Sequence, residues 1–206
     1  MTKRRKNQRK AMIILASSSP RRIEMMRQFD LNLVVQKPEV DERHHQGESP
    51  RQFCARLSRE KAAKIWGELS QKTQKTAVLL AADTIVALGS KILGKPTSRK
   101  DAHRMVKALS GREHEVFTAV TVCSRTKIHN FVIRTRVTFR RLKSYEIKAY
   151  VASPEPYDKA GGYAAQGLGM NLIERIAGSY TNVVGLPMAE VANCLRDEFE
   201  VMLLGR

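Results

Sequence analysis

Cysteine is scarce in this chain. Its three residues, Cys54, Cys123 and Cys194, lie far apart with no paired spacing, which argues against a zinc site and a disulfide framework and leaves them as reduced thiols. Aromatic residues make up only 6% of the chain and are not interleaved with the basic ones, so the stacking platform of a single-strand nucleic-acid binder is missing. No apolar run approaches the roughly 20 residues needed to cross a bilayer. The short apolar stretch near the start leads straight into polar residues, unlike a secretory signal. A soluble, cytoplasmic protein with no membrane partner is expected. A Walker-type glycine loop, a Gly-x-Ser-x-Gly elbow and a His-Glu-x-x-His helix are also absent, which disfavours P-loop enzymes, esterases of the usual fold and zinc proteases.

What is present is a basic chain of 206 residues, 42% hydrophobic, with a formal charge of +17. That length supports one sizeable core. Six of the charges, Lys3, Arg4, Arg5, Lys6, Arg9 and Lys10, crowd into residues 1–10, leaving +11 of the +17 for the rest. Residues 1–10 are expected to be a disordered basic tail and residues 11–206 a single domain. The remaining positive charge favours polyanionic ligands without choosing between a nucleotide and a nucleic acid.

The most informative stretch is Leu15-Ala-Ser-Ser-Ser-Pro-Arg-Arg22. The β-branched run Met12–Ala16 predicts a strand, and Pro20 with Ser19 before it predicts a helix start. Hydroxyls and arginines at a helix N-terminus make an anion site, and cations there oppose the dipole unless something anionic offsets them. Further on, the patterns predict a strand at residues 32–36, a helix from Pro50 to about Trp66 with Phe53, Leu57 and Ile65 buried, and a strand over residues 76–86. A hairpin at residues 88–91 follows, then a helix capped by Ser98 and an antiparallel pair over residues 115–123 and 128–139. A helix capped by Ser144, a glycine-rich segment, a strand near residues 171–176 and a last helix from Pro187 complete the chain. Parallel units followed by long hairpins predict an α/β fold with a mixed twisted sheet and flanking helices.

Asp83 interrupts the most apolar stretch. A carboxylate buried there alone would lose several kcal/mol of hydration, so it must pair, bind a metal or sit at an exposed strand end. As a functional group it would be a general base or a divalent-cation ligand. Glu42, in the acidic loop 37–48, is a second carboxylate available to such a metal. Lys61 and Lys95, taken in isolation, read as surface residues, Lys95 less so because it lies between Gly94 and Pro96. The residues alone reach a metal-assisted phosphate or nucleotide enzyme.

Five motifs in order, Leu15–Arg22, Ala82-Asp-Thr-Ile-Val86, Leu93-Gly-Lys-Pro96, Asp158-Lys-Ala-Gly-Gly-Tyr-Ala-Ala-Gln-Gly167, and Gly178-Ser-Tyr with Val184-Gly-Leu-Pro187, resemble the Maf family of nucleoside triphosphate pyrophosphatases. The resemblance implies a fold related to the inosine triphosphate pyrophosphatases, with two lobes around a cleft, and hydrolysis of a nucleoside triphosphate to monophosphate and pyrophosphate. It implies Asp83 as proton acceptor, Ser17, Arg22, Lys61 and Lys95 as holders of the triphosphate, and Glu42 with Asp83 for Mg²⁺ or Mn²⁺. It also implies a homodimer. Arg21, Thr84 and Gln166 match the branch acting on dTTP and UTP, the alternative being the branch acting on 7-methyl-GTP. The amide of Gln166 suits the donor and acceptor edge of a pyrimidine, whereas a carboxylate would suit methylated guanine.

One departure is Ser153-Pro-Glu-Pro156, where the family often has Ser-Gly-Glu-Pro; proline cannot take glycine's positive φ, so the loop is expected to differ locally. Two rival functions remain. A nucleic-acid binder would explain the charge but not the acidic loop, and a nucleotide-binding regulator of cell division would bind without turnover.

Overall fold

The computed structural model describes residues 11–205, so the expectation for the basic tail falls outside the described residues. The elements, in chain order, are β1 (Met12–Ala16), α1 (Pro20–Arg27), β2 (Asn32–Gln36), α2 (Pro50–Glu68), α3 (Gln71–Gln74), β3 (Ala77–Leu88), β4 (Lys91–Leu93), α4 (Arg99–Leu109), β5 (Glu113–Cys123), β6 (Ile128–Phe139), α5 (Ser144–Ala152), β7 (Ile173–Ala177), α6 (Tyr180–Val184) and α7 (Met188–Phe199). Three short 3₁₀ turns occupy the glycine-rich segment between α5 and β7.

The strands form one seven-stranded sheet in the order β2-β1-β3-β5-β6-β7, with β4 also on β3. β1 pairs in parallel with both β2 and β3, and the β3-β5-β6-β7 pairs are antiparallel. This is the mixed α/β sheet that the patterns predicted. β3 is central. One edge carries β5 along residues 79–87, and the other carries β1 along residues 77–81 and β4 along residues 86–88. Residues 82–85 therefore face a gap on that second edge, and the gap becomes the floor of the cleft.

Alternation sorts β3 onto two faces. Leu79, Ala81, Ile85 and Ala87 pack under α2, against Phe53, Leu57, Ala62 and Ile65. The opposite face carries two separate cores. Val78, Leu80 and Ala82 meet α1 and α7 through Met26, Val191 and Leu195, while Val86 meets α4 and α5 through Val106, Leu109, Ile147 and Val151. Between them runs a row of threonines, Thr84 on β3, Thr118 on β5 and Thr135 on β6. The two expected lobes are these two cores, built on one shared sheet.

Local chemistry explains most boundaries. Ser49 and Gln52 form a reciprocal capping box at α2, with Pro50 in its first turn. The Ser98 hydroxyl accepts from Asp101 N–H at 3.1 Å. One expectation is corrected. α5 is capped not by Ser144 but from Lys143, whose backbone N–H donates to Glu146 Oε2 at 2.7 Å. Pro154 sits at φ −74°, ψ −12°, within proline's own range, so the chain needs no glycine there.

Candidate functional site

The loop after β1 is tied down by its own first hydroxyl. Ser17 is 3% exposed, and its Oγ accepts from Ser19 N–H at 3.1 Å. Ser19 stands at the N-cap of α1 without a side-chain cap bond. This loop, the gap in β3, the turn before Lys95 and the 158–166 segment enclose a cavity of about 510 Å³. All nine residues singled out from the sequence line it: Ser17, Arg21, Arg22, Glu42, Lys61, Asp83, Thr84, Lys95 and Gln166.

Asp83 is 6% exposed and lies within β3, not at a strand end. Of the three options open to it, the structure shows pairing: Lys61 Nζ donates to Asp83 Oδ1 at 2.6 Å. The same ammonium lies 2.6 Å from Glu42 Oε1. Asp83 Oδ2 is buried with no hydrogen-bond partner among the described residues. The surface reading of Lys61 is corrected, since the residue is 8% exposed. It shares the buried stripe of α2 with Leu57, four residues before, and Ile65, four after. Burial raises the Glu42 pKa, but its bond to Lys61 and the charges of Lys61, Lys95 and Arg22 outweigh that and hold it below the ordinary value. From beneath, the Cys54 thiol donates to the Asp83 carbonyl at 3.1 Å and accepts from Ala119 N–H at 3.1 Å, fixing the backbone that carries the acid. Burial, then the nearby Asp83 charge, pushes that thiol well above the ordinary value, so it stays protonated as a donor.

The next residue faces the other way. Thr84 Oγ1 accepts from Arg22 Nη2 at 2.8 Å and lies 2.9 Å from Thr118 Oγ1. Arg22 Nη1 donates to the Ala82 carbonyl at 2.7 Å and Nε to the Gly185 carbonyl at 2.7 Å. Ala82 presents a carbonyl to the gap, and Arg22 occupies it. Burial pulls the Arg22 pKa down, with Asp83 opposing; a guanidinium nonetheless stays charged, so its desolvation is offset by these bonds. Carbonyl oxygens thus answer the cation at the helix start, and Arg22 clamps the gap while still lining the cavity. Thr118 donates to the Asn182 carbonyl at 2.9 Å, and Asn182 Nδ2 donates to Thr135 Oγ1 at 2.9 Å and to Val116 O at 3.1 Å.

Around the mouth, Arg21 Nε donates to the Val184 carbonyl at 3.4 Å, and Nη1 lies 3.8 Å from Asp158. Lys95 and Gln166 are exposed, and neither side chain has a hydrogen-bond or ion-pair partner among the described residues. Sequence reasoning missed Asp158, Lys159 and Tyr163, which also line the cavity; their signal was adjacency to Gln166 in one motif. Among the described residues no group of three or more His, Cys, Asp or Glu side chains gathers as a metal cluster, and no helix is long and apolar enough to cross a membrane.

Comparison with known proteins points one way. The chain is 46% identical over 188 residues to the dTTP/UTP pyrophosphatase of Anaeromyxobacter dehalogenans strain 2CP-1, covering 89% of this chain and 92% of that one. It is 44% identical over 189 residues to the protein of the same name from Myxococcus xanthus, covering 92% and 93%. A looser likeness to the Ham1 protein of Staphylococcus aureus, 13% identical over 78% of this chain and 79% of that one with a TM-score of 0.41, carries no argument. The Maf-like protein family model matches residues 12–198, and with relatives this close over nearly the whole length the chain belongs to the Maf family.

Proposed function

We propose that this chain hydrolyses dTTP and UTP to the monophosphate and pyrophosphate. The relatives' names support the substrate class, and one observation carries the chemistry. In the cavity wall stands a buried carboxylate with one oxygen held by an ammonium and the other without a partner among the described residues. Lys61 fixes Asp83 Oδ1, which leaves Oδ2 to accept a proton from a water attacking the α-phosphorus. The α–β anhydride bond breaks and pyrophosphate departs. Lys95, without a hydrogen-bond or ion-pair partner among the described residues, and the Ser17 loop meet the phosphate charge, while Arg22 holds the wall in place. Arg21 shares the mouth, and the unbonded amide of Gln166 meets the base edge.

Glu42 and Asp83 fit a divalent cation, Mg²⁺ or Mn²⁺, because the Lys61 ammonium, 2.6 Å from an oxygen of each, draws two hard carboxylates side by side. When bound, such a cation would neutralise phosphate oxygens and polarise the bond under attack. A triphosphate substrate fits a cytoplasmic setting, and a homodimer is the assembly the family resemblance favours.

The test is pyrophosphate release from a nucleotide panel containing dTTP, UTP, 7-methyl-GTP and ATP, with Asp83→Asn as the control. Release from dTTP and UTP that the control abolishes supports the reading. Binding without turnover would leave a regulator instead.

A further inference from the structure

The carboxylate of Glu155 has no place in the chemistry above, yet it is among the most fully bonded in the molecule. Oε2 accepts from Leu168 N–H at 2.7 Å, and Oε1 accepts from Gly169 N–H at 2.7 Å and from the Tyr150 hydroxyl at 3.0 Å. Its backbone is held as well, because Lys159 Nζ donates to the Glu155 carbonyl at 2.8 Å and prolines flank it on both sides. The turn it grips begins at Gln166 and is shaped around it. Gly167 has φ +78°, and a Cβ there would sit 2.3 Å from Glu155 Oε2; a Cβ on Gly169 would sit 2.3 Å from the Ala164 carbonyl. Side chains at either position would drive the turn off the carboxylate.

The far end of this turn is tied by Arg140 to the Asn171 and Leu172 carbonyls, but its tip has little besides Glu155. Leu168 and Met170 are 59% and 65% exposed, so apolar burial contributes little at its tip. Gln166 has no side-chain hydrogen bond among the described residues, so its direction is inherited from the backbone that follows it. We propose that Glu155 is a positioning residue for base discrimination: by binding the Leu168 and Gly169 amides it fixes the turn that presents Gln166 to the cavity. The inference rests on the pyrimidine-triphosphate reading, in which Gln166 meets the base, and assigns Glu155 no contact with substrate. Because the ribose stands between the base edge and the reacting α-phosphorus, loosening the turn alters which base is accepted more than the rate of bond breaking.

Steady-state kinetics of Glu155→Ala, Glu155→Gln and Tyr150→Phe with UTP and GTP test this, alongside thermal unfolding and hydrogen exchange at residues 167–170. Glu155→Ala is expected to raise KM for UTP about tenfold with a smaller change in kcat, and to cut the preference for UTP over GTP about tenfold. Glu155→Gln, which keeps one acceptor oxygen, should fall between, with faster exchange at Leu168 and Gly169. Tyr150→Phe keeps both amide bonds and should discriminate like the wild type. If Glu155→Ala fails to fold, the Glu155→Gln kinetics and exchange decide alone. A wild type that discriminates and a folded Glu155 variant that discriminates equally well overturn the role of Glu155. A wild type that releases pyrophosphate from neither nucleotide overturns the underlying reading, and this inference with it.

Discussion

Asp83 and Thr84 are neighbours on one strand, yet the two faces they serve are built on opposite terms. The Asp83 face gathers three charges from a helix, a loop and a strand, Lys61, Glu42 and Asp83 itself, and leaves a buried oxygen unbonded among the described residues. The Thr84 face is a row of neutral hydroxyls closed by Arg22 and Asn182, in which nearly every donor has an acceptor. An unfinished charged cluster can exchange a partner for a substrate or a water; a neutral row whose donors are answered holds its shape, even with Asn182 Oδ1 left without a partner among the described residues. The difference separates the group offered for chemistry from the frame that aims it.

The hardest test of that contrast is Asp83→Asn, which should lower kcat for pyrophosphate release by roughly 10²–10⁴-fold while the melting temperature holds, because Lys61 keeps Glu42. Undiminished turnover would remove Asp83 from the reaction. Lys61→Met should destabilise the protein by roughly 3–5 kcal/mol in urea titration, since it strands a buried carboxylate, and adding Asp83→Asn should restore most of the loss. A single variant as stable as the wild type would show that the pair is solvated.

The neutral face has its own probe in His114, 1% exposed on β5, with Nε2 2.7 Å from the Tyr163 hydroxyl. Burial pushes its pKa down to about 4. The unfolded chain takes up the proton near 6.5 and the folded one resists it. Stability is therefore full above about pH 6.5 and falls by about 3 kcal/mol as pH drops to about 4. His114→Gln should flatten that slope in denaturation curves, and an unchanged slope would place the titration elsewhere. Thr84→Val should have the smallest effect, about 1–2 kcal/mol, from an Arg22 nitrogen left without its acceptor. A loss of turnover matching that of Asp83→Asn would break the division between the faces.

Where periodicity carries the information, the chain is readable. Leu57 and Ile65 placed the buried stripe of α2, and the apolar run over residues 76–86 placed a strand around Asp83 while leaving open whether the acid sat at its exposed end. Lys61 lies on the same stripe and was legible by that rule, but a lone lysine reads as surface until its partner is known, and the partner comes from a different element. The clamp by Arg22 was illegible for a different reason. Its acceptors are backbone carbonyls, at Ala82 and Gly185, and no side-chain pattern reports which carbonyls a sheet leaves open. The short helix α6 escaped detection because five residues are too few to show a period. The family motifs named its flanks without saying that Asn182 binds two strands.

Because the guanidinium of Arg22 reaches a carbonyl 163 positions further along the chain, the wall around the acid cannot be completed until nearly the whole polypeptide is available. During synthesis the strands of the first half can pair while the pocket stays open on that side. Premature termination ahead of residue 185 would leave the arginine only its Ala82 and Thr84 partners and the pocket open on that side, which links the integrity of the message's far end to chemistry encoded in its first half.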